Sequence, residues 1–358
     1  MKVTFILPHL RISGGVKALL EYANRLTEFG VETLIVIPEK SLKWYRVFES
    51  ISRIKKGSIS IDPKSIDWFS NKVPIIKVPT IGNSTIPDSD ILVTSSWETA
   101  YEAENLSHKK GRKFYFVQHY ETLWTRKKKE AEKTYQMNFE KIVISDWLQS
   151  ILIEKFSQPS NVLVTPVDEK QFTKKEKIWN DPPKVCLMHH DYDWKGYNDA
   201  IHSVRQSLCQ NPNFKISIFG EKLKDPSSLR QNAGFDFEYV YRPTGNAIRD
   251  LFINCDIYLC PSWYEGLGMP AMEAMASRCA LVTTDTGGSR NYAFHGQTAL
   301  VSKPKDTIAL TKNLNEIIEN FELRKKLSEN GYNKIKEFDW DKNCRKLMKI
   351  FESSSEKK

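Results

Sequence analysis

The 358-residue sequence predicts an α/β protein built as two doubly wound parallel-sheet domains facing each other across a cleft. Three observations lead there. The chain exceeds the length at which one hydrophobic core keeps growing, so two domains are expected. Short apolar runs rich in Val and Ile alternate with segments of helical period, and the runs are continuous rather than alternating, as in strands covered on both faces. The pattern also restarts, after the charged, proline-closed stretch "EKQFTKKEKIWNDPP" at 169–183.

In order, the first set of strands is read at 3–7, 32–37, 91–95, 114–118, 141–144 and 161–164. The second set is read at 184–188, 214–219, 237–241, 256–260, 280–284 and 298–302. The expected domains are 1–168 and 184–335, with 169–183 as linker and 336–358 as a helical segment returning to the first domain. The ligand site of such a pair is expected at the carboxyl ends of the strands, in the cleft.

With 40% hydrophobic and 27% charged residues the composition is that of a globular protein, and no run reaches the roughly 18 apolar residues of a membrane span. "VTFIL" is too short for a signal peptide, which leads to the expectation of a cytoplasmic protein. All six cysteines, Cys186, Cys209, Cys255, Cys260, Cys279 and Cys344, fall in the second half without a C-x-x-C pair, and read as reduced thiols rather than a zinc or disulfide framework. The net charge of +9 is densest in "TRKKKEAEK" at 125–133, either a solvated helix face or an attraction to an anionic membrane surface or acidic acceptor. No nucleic-acid-binding signature accompanies it, so nucleic acid is not an expected partner. Residues 41–72 read as an acceptor-side insertion. Within it Trp44, Tyr45, Phe48, Ile51 and Ile54 recur near helical spacing beside Lys43, Arg46, Lys55 and Lys56, the pattern of either a packed core or a helix lying on a membrane.

"VTFILPHLRISGGVKALLEYANRLTEFG" reads as a strand, a loop holding Gly14 and Gly15, and a helix whose Val16, Leu19, Leu20, Ala23 and Leu26 form one stripe. Glycines there let backbone N–H groups approach a phosphate, although a Gly-Gly turn is as often only a tight connection. "PSWYEGLGMPAMEAMA" at 261–276 is more specific. After the buried strand "DIYLCPS", Pro270 suits the first position of a helix, and the Glu265–Met269 loop delivers amides to that helix's positive end, where a diphosphate fits. Glu273 is placed in the first turn, either as a dipole-complementing carboxylate or as an acceptor for the two hydroxyls of a ribose.

The two glutamates, separated by seven residues, resemble the signature of glycosyltransferase family 4, retaining enzymes of the GT-B fold that use nucleotide diphosphate sugars. The resemblance extends to the Gly14-Gly15 loop, "FVQHYE" at 116–121, "VISDWLQ" at 143–149, "VTPVDEKQF" at 164–172, "DWKGYNDAI" at 193–201 and "TTDTGGSRNYAFHGQTALV" at 283–301. It implies two Rossmann-like domains, with Glu273 binding the donor ribose and Glu265 contacting the donor sugar near its reacting carbon. Amides of Gly266, Leu267, Gly268 and Met269 would hold diphosphate and sugar. Lys195 would neutralise the departing phosphate, and Gly14 and Gly15 would approach it from the other domain. His119 takes the place of a histidine set against the donor sugar, with Glu121 as rival.

Two departures from the family stand out. Its usual arginine, six residues before the lysine, is His189 here, followed by His190; the usual "NG" of the "VTPVD" segment is Thr165-Pro166. A third difference, Asn291 for a common glutamate, is accompanied by Arg290 as a compensating cation. With an ordinary pKa of about 6.5, His189 or His190 is expected to replace the arginine by being held protonated by the bound phosphate; otherwise Lys195, helped by Arg290, carries the charge alone. The implied activity is retaining, metal-independent hexosyl or deoxyhexosyl transfer to a glycan, glycolipid or glycoprotein acceptor in cell-surface polysaccharide synthesis, without a cofactor, on the inner face of the membrane. Two other readings remain: a weakened transferase-like binding partner of an active enzyme, and a GT-B sugar-nucleotide epimerase.

Overall fold

A computed structural model describes residues 1–39, 59–172 and 176–353. The chain forms two compact units, residues 1–164 with 341–358, and residues 165–340.

Among the described residues the first unit holds an eight-stranded sheet. Its strands are β1 (Lys2–Ile6), β2 (Glu32–Pro38), β3 (Ile59–Ile61), β4 (Ile75–Val78), β5 (Ile91–Thr94), β6 (Arg112–Val117), β7 (Glu140–Val143) and β8 (Ser160–Val162). They lie in the order β3-β4-β2-β1-β5-β6-β7-β8, parallel except for the β3–β4 pair. The six strands expected from apolar runs are present; β3 and β4 are additions. They escape a pattern search because "ISI" is three residues long and largely exposed, and "IIKV" is buried only at its ends. The antiparallel edge strand also corrects the expectation of a purely parallel sheet. The reading of Trp44–Ile54 as an amphipathic helix lies outside the described residues.

β1 sits between β2 and β5, and Ile6 is aligned with both Val36 and Thr94, so its residues are covered on every side. Val3, Phe5, Ile35, Val93, Phe114 and Phe116 are accordingly buried. The C-terminal helix Trp340–Ser353 packs on this unit: Phe351 meets Phe114 edge-on at 4.9 Å, Arg112 donates to the Phe351 carbonyl, and Asn343 donates to that of Val164.

The second unit holds a six-stranded, fully parallel sheet among the described residues: β9 (Lys184–His189), β10 (Lys215–Gly220), β11 (Glu238–Tyr241), β12 (Ile257–Cys260), β13 (Ala280–Thr284) and β14 (Ala299–Ser302). The order is β11-β10-β9-β12-β13-β14, so the direction of winding reverses between β9 and β12. At that reversal the loops leaving two adjacent strands go to opposite faces, which opens the crevice where ligands of such sheets bind. Val185, Leu187, Ile218, Ile257, Leu259 and Val282 form the middle of its core. No helix among the described residues is long and apolar enough to cross a membrane.

Candidate functional site

The candidate site is assembled at the β9–β12 reversal. Beyond His189 the chain makes a tight 3-10 turn at Asp193–Lys195, closed by Gly196 at φ +68°. A Cβ on Gly196 would stand 2.1 Å from the Pro261 carbonyl oxygen, so only glycine lets this turn lie against the loop leaving β12. Trp263 completes the junction: its backbone N–H donates to the Trp194 carbonyl (2.8 Å) and its indole to Asp199 (2.7 Å). On the other side, Glu265 N–H donates to the Thr286 carbonyl (2.9 Å) and Gly288 N–H to that of Glu265 (3.2 Å). Gly288 has no alternative, since a Cβ there would be 2.4 Å from the Gly266 oxygen. The Tyr292 hydroxyl donates to the Leu267 carbonyl at 2.9 Å.

These constraints bring Lys195 and Glu265 together. The Lys195 ammonium donates to both carboxylate oxygens, at 2.7 and 2.9 Å, and the two side chains are only 15% and 11% exposed. A bidentate, largely desolvated pair fixes both groups within a narrow range of positions. The lysine comes from the turn that follows β9 on one side of the reversal and the glutamate from the loop that follows β12 on the other.

From Gly268, at φ +89°, the chain enters the helix Met269–Ala276. Pro270 occupies the second helical position rather than the first. Glu273 is the fifth residue, which corrects its expected first-turn placement: it stands in the second turn and is buried. The helix macrodipole fades beyond the first turn, so dipole complementarity no longer accounts for a buried carboxylate there. The Gly266–Met269 amides precede and open this helix, where backbone N–H groups attract an anion.

The phosphate-side cations differ from expectation. His189 is buried, meets Tyr197 edge-on at 4.7 Å, and has Nε2 4.0 Å from Asp191; burial pushes its pKa below the ordinary value. His190 is driven down to about 4, by burial first and then by the charges of Lys195 and Lys222. Without a bound anion both rings lie in surroundings that favour the neutral form, so a protonated imidazole in the place of the family's arginine would need a bound phosphate to hold the proton on. Arg290 is also engaged elsewhere: its guanidinium clasps both oxygens of Asp285 at 2.9–3.1 Å in an exposed ion pair.

Residues not singled out from sequence surround the lysine. Trp194 and Tyr264 stack at 5.2 Å, Tyr192 stacks on Trp194 at 5.3 Å, and Lys195 Nζ lies 4.6 Å from the Trp194 ring centre. The density of aromatics in "DYDWKG" was the available signal.

In the first unit Gly14 and Gly15 are the first residues of the helix Gly14–Glu28, not part of the loop before it. The Ser13 hydroxyl caps that helix by accepting from Val16 N–H at 3.2 Å. A Cβ on Gly15 would meet the Gln118 side chain at 3.0 Å, so this glycine brings the helix start against the end of β6. His119 is half-buried and edge-on to Trp124 at 6.4 Å. Glu121 is buried; its carboxylate accepts from Trp97 N–H and the Tyr115 hydroxyl, each at 2.8 Å, and burial pushes its pKa up to about 8.

Elsewhere in the second unit a groove of about 630 Å³, bordered by His202, Gln206, Thr311, Lys312 and Asn315, is lined by none of the candidate residues. Among the described residues no group of three or more His, Cys, Asp or Glu is placed to hold a metal ion.

With this geometry in view, residues 168–334 match the family model of glycosyl transferases group 1. The chain is 31% identical, over 209 residues, to an uncharacterised glycosyltransferase of Methanocaldococcus jannaschii, covering 55% of this chain and 59% of that one. It is 22% identical over 192 residues to the capsular polysaccharide biosynthesis glycosyltransferase CapM of Staphylococcus aureus, covering 52% and 47%. The chain thus spans about half to three fifths of the length of these curated relatives. The crystal structure of Anabaena HepE in complex with UDP and glucose superposes with a TM-score of 0.77 over 99% of this chain and 100% of that one, at 14% identity. The fold is GT-B, with two Rossmann-like parallel-sheet domains.

Proposed function

We propose that this protein is a retaining glycosyltransferase that moves a hexosyl or deoxyhexosyl group from a nucleotide diphosphate sugar to a glycan, glycolipid or glycoprotein acceptor. The observation that carries the proposal is the bidentate Lys195–Glu265 pair at the β9–β12 reversal, beside the Gly266–Met269 amides. Glycosyl transfer breaks the bond between the anomeric carbon and a phosphate oxygen, and the electron pair leaves on the phosphate. The Lys195 ammonium and the helix-start amides stabilise that charge without a metal ion. Glu265 faces the sugar as its ring gains oxocarbenium character, and Glu273 accepts from the ribose hydroxyls. The acceptor oxygen then bonds to the anomeric carbon from the face the phosphate is leaving. Its proton passes to the departing phosphate oxygen, so configuration is retained and no separate base is required.

The role of CapM in capsular polysaccharide biosynthesis supports a cell-surface polysaccharide as product. Leu123 and Trp124, 39% and 42% exposed beside the 126–129 basic run, support cytoplasmic work against an anionic membrane. The test is a screen of UDP-, GDP- and dTDP-sugars for thermal stabilisation, followed by release of nucleoside diphosphate with EDTA present and by NMR assignment of the product's anomeric proton. Stabilisation without release would favour the binding-partner reading. Turnover of the donor without an acceptor to another sugar nucleotide would favour an epimerase, and an inverted product would overturn retention.

A further inference from the structure

The aromatic residues beside the Lys195–Glu265 pair form a continuous surface that the donor chemistry above does not use. Tyr192 and Trp194 stack at 5.3 Å with planes 17° apart, and Trp194 and Tyr264 at 5.2 Å with planes again 17° apart. His190 extends the group, 4.6 Å from Tyr192. Such a stack ordinarily closes on itself inside a core, yet Tyr192 is 52% exposed.

The stack is also held in place. Lys195 N–H donates to the Tyr192 carbonyl and Gly196 N–H to that of Asp193, both at 2.9 Å. Tyr192 N–H donates to His190 Nδ1 at 3.1 Å, and Trp263 N–H fixes the Trp194 carbonyl. A surface ordered by its own backbone loses little entropy when something binds to it. Its position is informative as well: Trp194 directly precedes Lys195, and Tyr264 directly precedes Glu265. A ligand on these rings therefore lies within a few ångströms of the two groups assigned to the breaking bond.

We propose that Tyr192, Trp194 and Tyr264 form an acceptor subsite that takes the C–H face of a neutral pyranose ring. The inference rests on the transferase reading and adds an acceptor contact to the unit assigned to the donor. Pyranose rings present axial C–H bonds on an apolar face that packs against an electron-rich aromatic ring, while their equatorial hydroxyls need acceptors at the rim. Asp191 and Asp193, exposed and on either side of Tyr192 in the chain, supply such acceptors, and the hydrogen bond from Lys222 holds the Asp191 carboxyl below its ordinary pKa. The ammonium groups of Lys222 and Lys195 lie 5.7 and 4.6 Å from the Tyr192 and Trp194 ring centres, so the surroundings of the stack offer both acceptors and donors to a ligand rich in hydroxyls.

The experiment uses the full chain and saturation-transfer NMR with the methyl α- and β-pyranosides of glucose, galactose and mannose as probes. In parallel, UDP, GDP and dTDP are titrated. At least one pyranoside should receive saturation on its ring C–H protons. Tyr192→Ala should weaken it about tenfold, Tyr192→Phe should preserve it, and the affinity for the nucleoside diphosphate should change less than about twofold. Equal pyranoside binding by wild type and Tyr192→Ala overturns the subsite. So does loss of nucleotide rather than pyranoside affinity, which would make the stack a base platform. If a nucleotide binds and no pyranoside does, the subsite fails while the transferase reading stands; if neither class binds, both fail.

Discussion

The two sheets share a winding pattern but treat charge at their carboxyl ends in opposite ways. In the second unit, a lysine and a glutamate from opposite sides of the β9–β12 reversal meet and remain a close ion pair. In the first, the corresponding reversal between β1 and β5 is lined by small hydroxyl groups, with Ser95 Oγ donating to the Ile6 carbonyl and Ser96 capping the next helix. The nearby carboxyl, Glu121, accepts two hydrogen bonds but forms no ion pair among the described residues, and burial raises its pKa to about 8. One scaffold thus gives a buried carboxyl an ammonium partner in one unit and favours the neutral form of another in the other unit. The difference accords with the proposal that the second unit handles the donor's anionic group.

The largest expected effect comes from breaking the pair. Lys195→Ala removes the cation proposed to meet the departing phosphate, and turnover should fall by about 10²–10³-fold, the scale of losing one preorganised transition-state donor. It also strands Glu265, so unfolding in denaturant should show a loss of about 3 kcal/mol. Lys195→Ala with Glu265→Gln separates the two effects, because the neutral amide relieves the stranded charge. Stability should recover while turnover does not. Recovery of both would mean that the pair is only structural.

How much of this was legible beforehand depends on the kind of signal. The core strands were readable because "KVTFI", "ILVT" and "IYLC" are continuous apolar runs, a consequence of burial on both faces. β3 and β4 were not, being short and half-exposed edge elements whose pairing depends on residues distant in sequence. Glu265 and Glu273 stand in one local motif, and Lys195 was nominated through the family resemblance. The direct contact of Lys195 with Glu265 spans seventy positions and follows from sheet order, which spacing does not encode. The surroundings of His189 and His190 were hidden for a related reason: their burial and the proximity of Lys222 come from tertiary packing.

A smaller effect is expected at the ribose end. Glu273→Ala should weaken the donor and the free nucleoside diphosphate alike, by about 1.5–3 kcal/mol, through loss of a charged acceptor for two hydroxyls. Glu265→Ala should lower turnover with nucleotide affinity nearly unchanged. Isothermal titration of both variants decides the matter, and equal losses of affinity would remove the division of labour between the glutamates.

In the first unit, Glu121→Gln tests the neutral side of the comparison. The native carboxyl has a pKa of about 8 against 4.5 for the ordinary group, so between these values the folded protein holds a proton that the unfolded chain has released. Stability of the wild type should therefore decline as pH rises from about 4.5 through 8. The glutamine variant keeps an acceptor for Trp97 N–H and does not titrate, so its profile over that range should be flatter. Parallel profiles of unfolding midpoint against pH would show that Glu121 is ionised in the fold.

The smallest expected effect is the pH dependence of donor affinity, and it sharpens the electrostatic assignment. If His189 or His190 carried positive charge toward the diphosphate, affinity would fall as pH rises from about 6 to 8 while the imidazole lost its proton. Burial depresses both rings, and for His190 the charges of Lys195 and Lys222 add to it. If that depression persists with donor bound, wild-type affinity should vary less than about twofold over the interval. The measurement has to use the intact nucleotide sugar: a free nucleoside diphosphate has a terminal phosphate whose second pKa, about 6 for a phosphate monoester, would impose a slope of its own. His189→Gln should reproduce the wild-type profile. His189→Arg adds a permanent charge near the end of β9 and should raise affinity without introducing a slope. A roughly tenfold fall in wild-type affinity between pH 6 and 8, absent from the glutamine and arginine variants, would mean that the bound diphosphate holds a proton on His189 against its burial, and the imidazolium would return as the second phosphate-side cation.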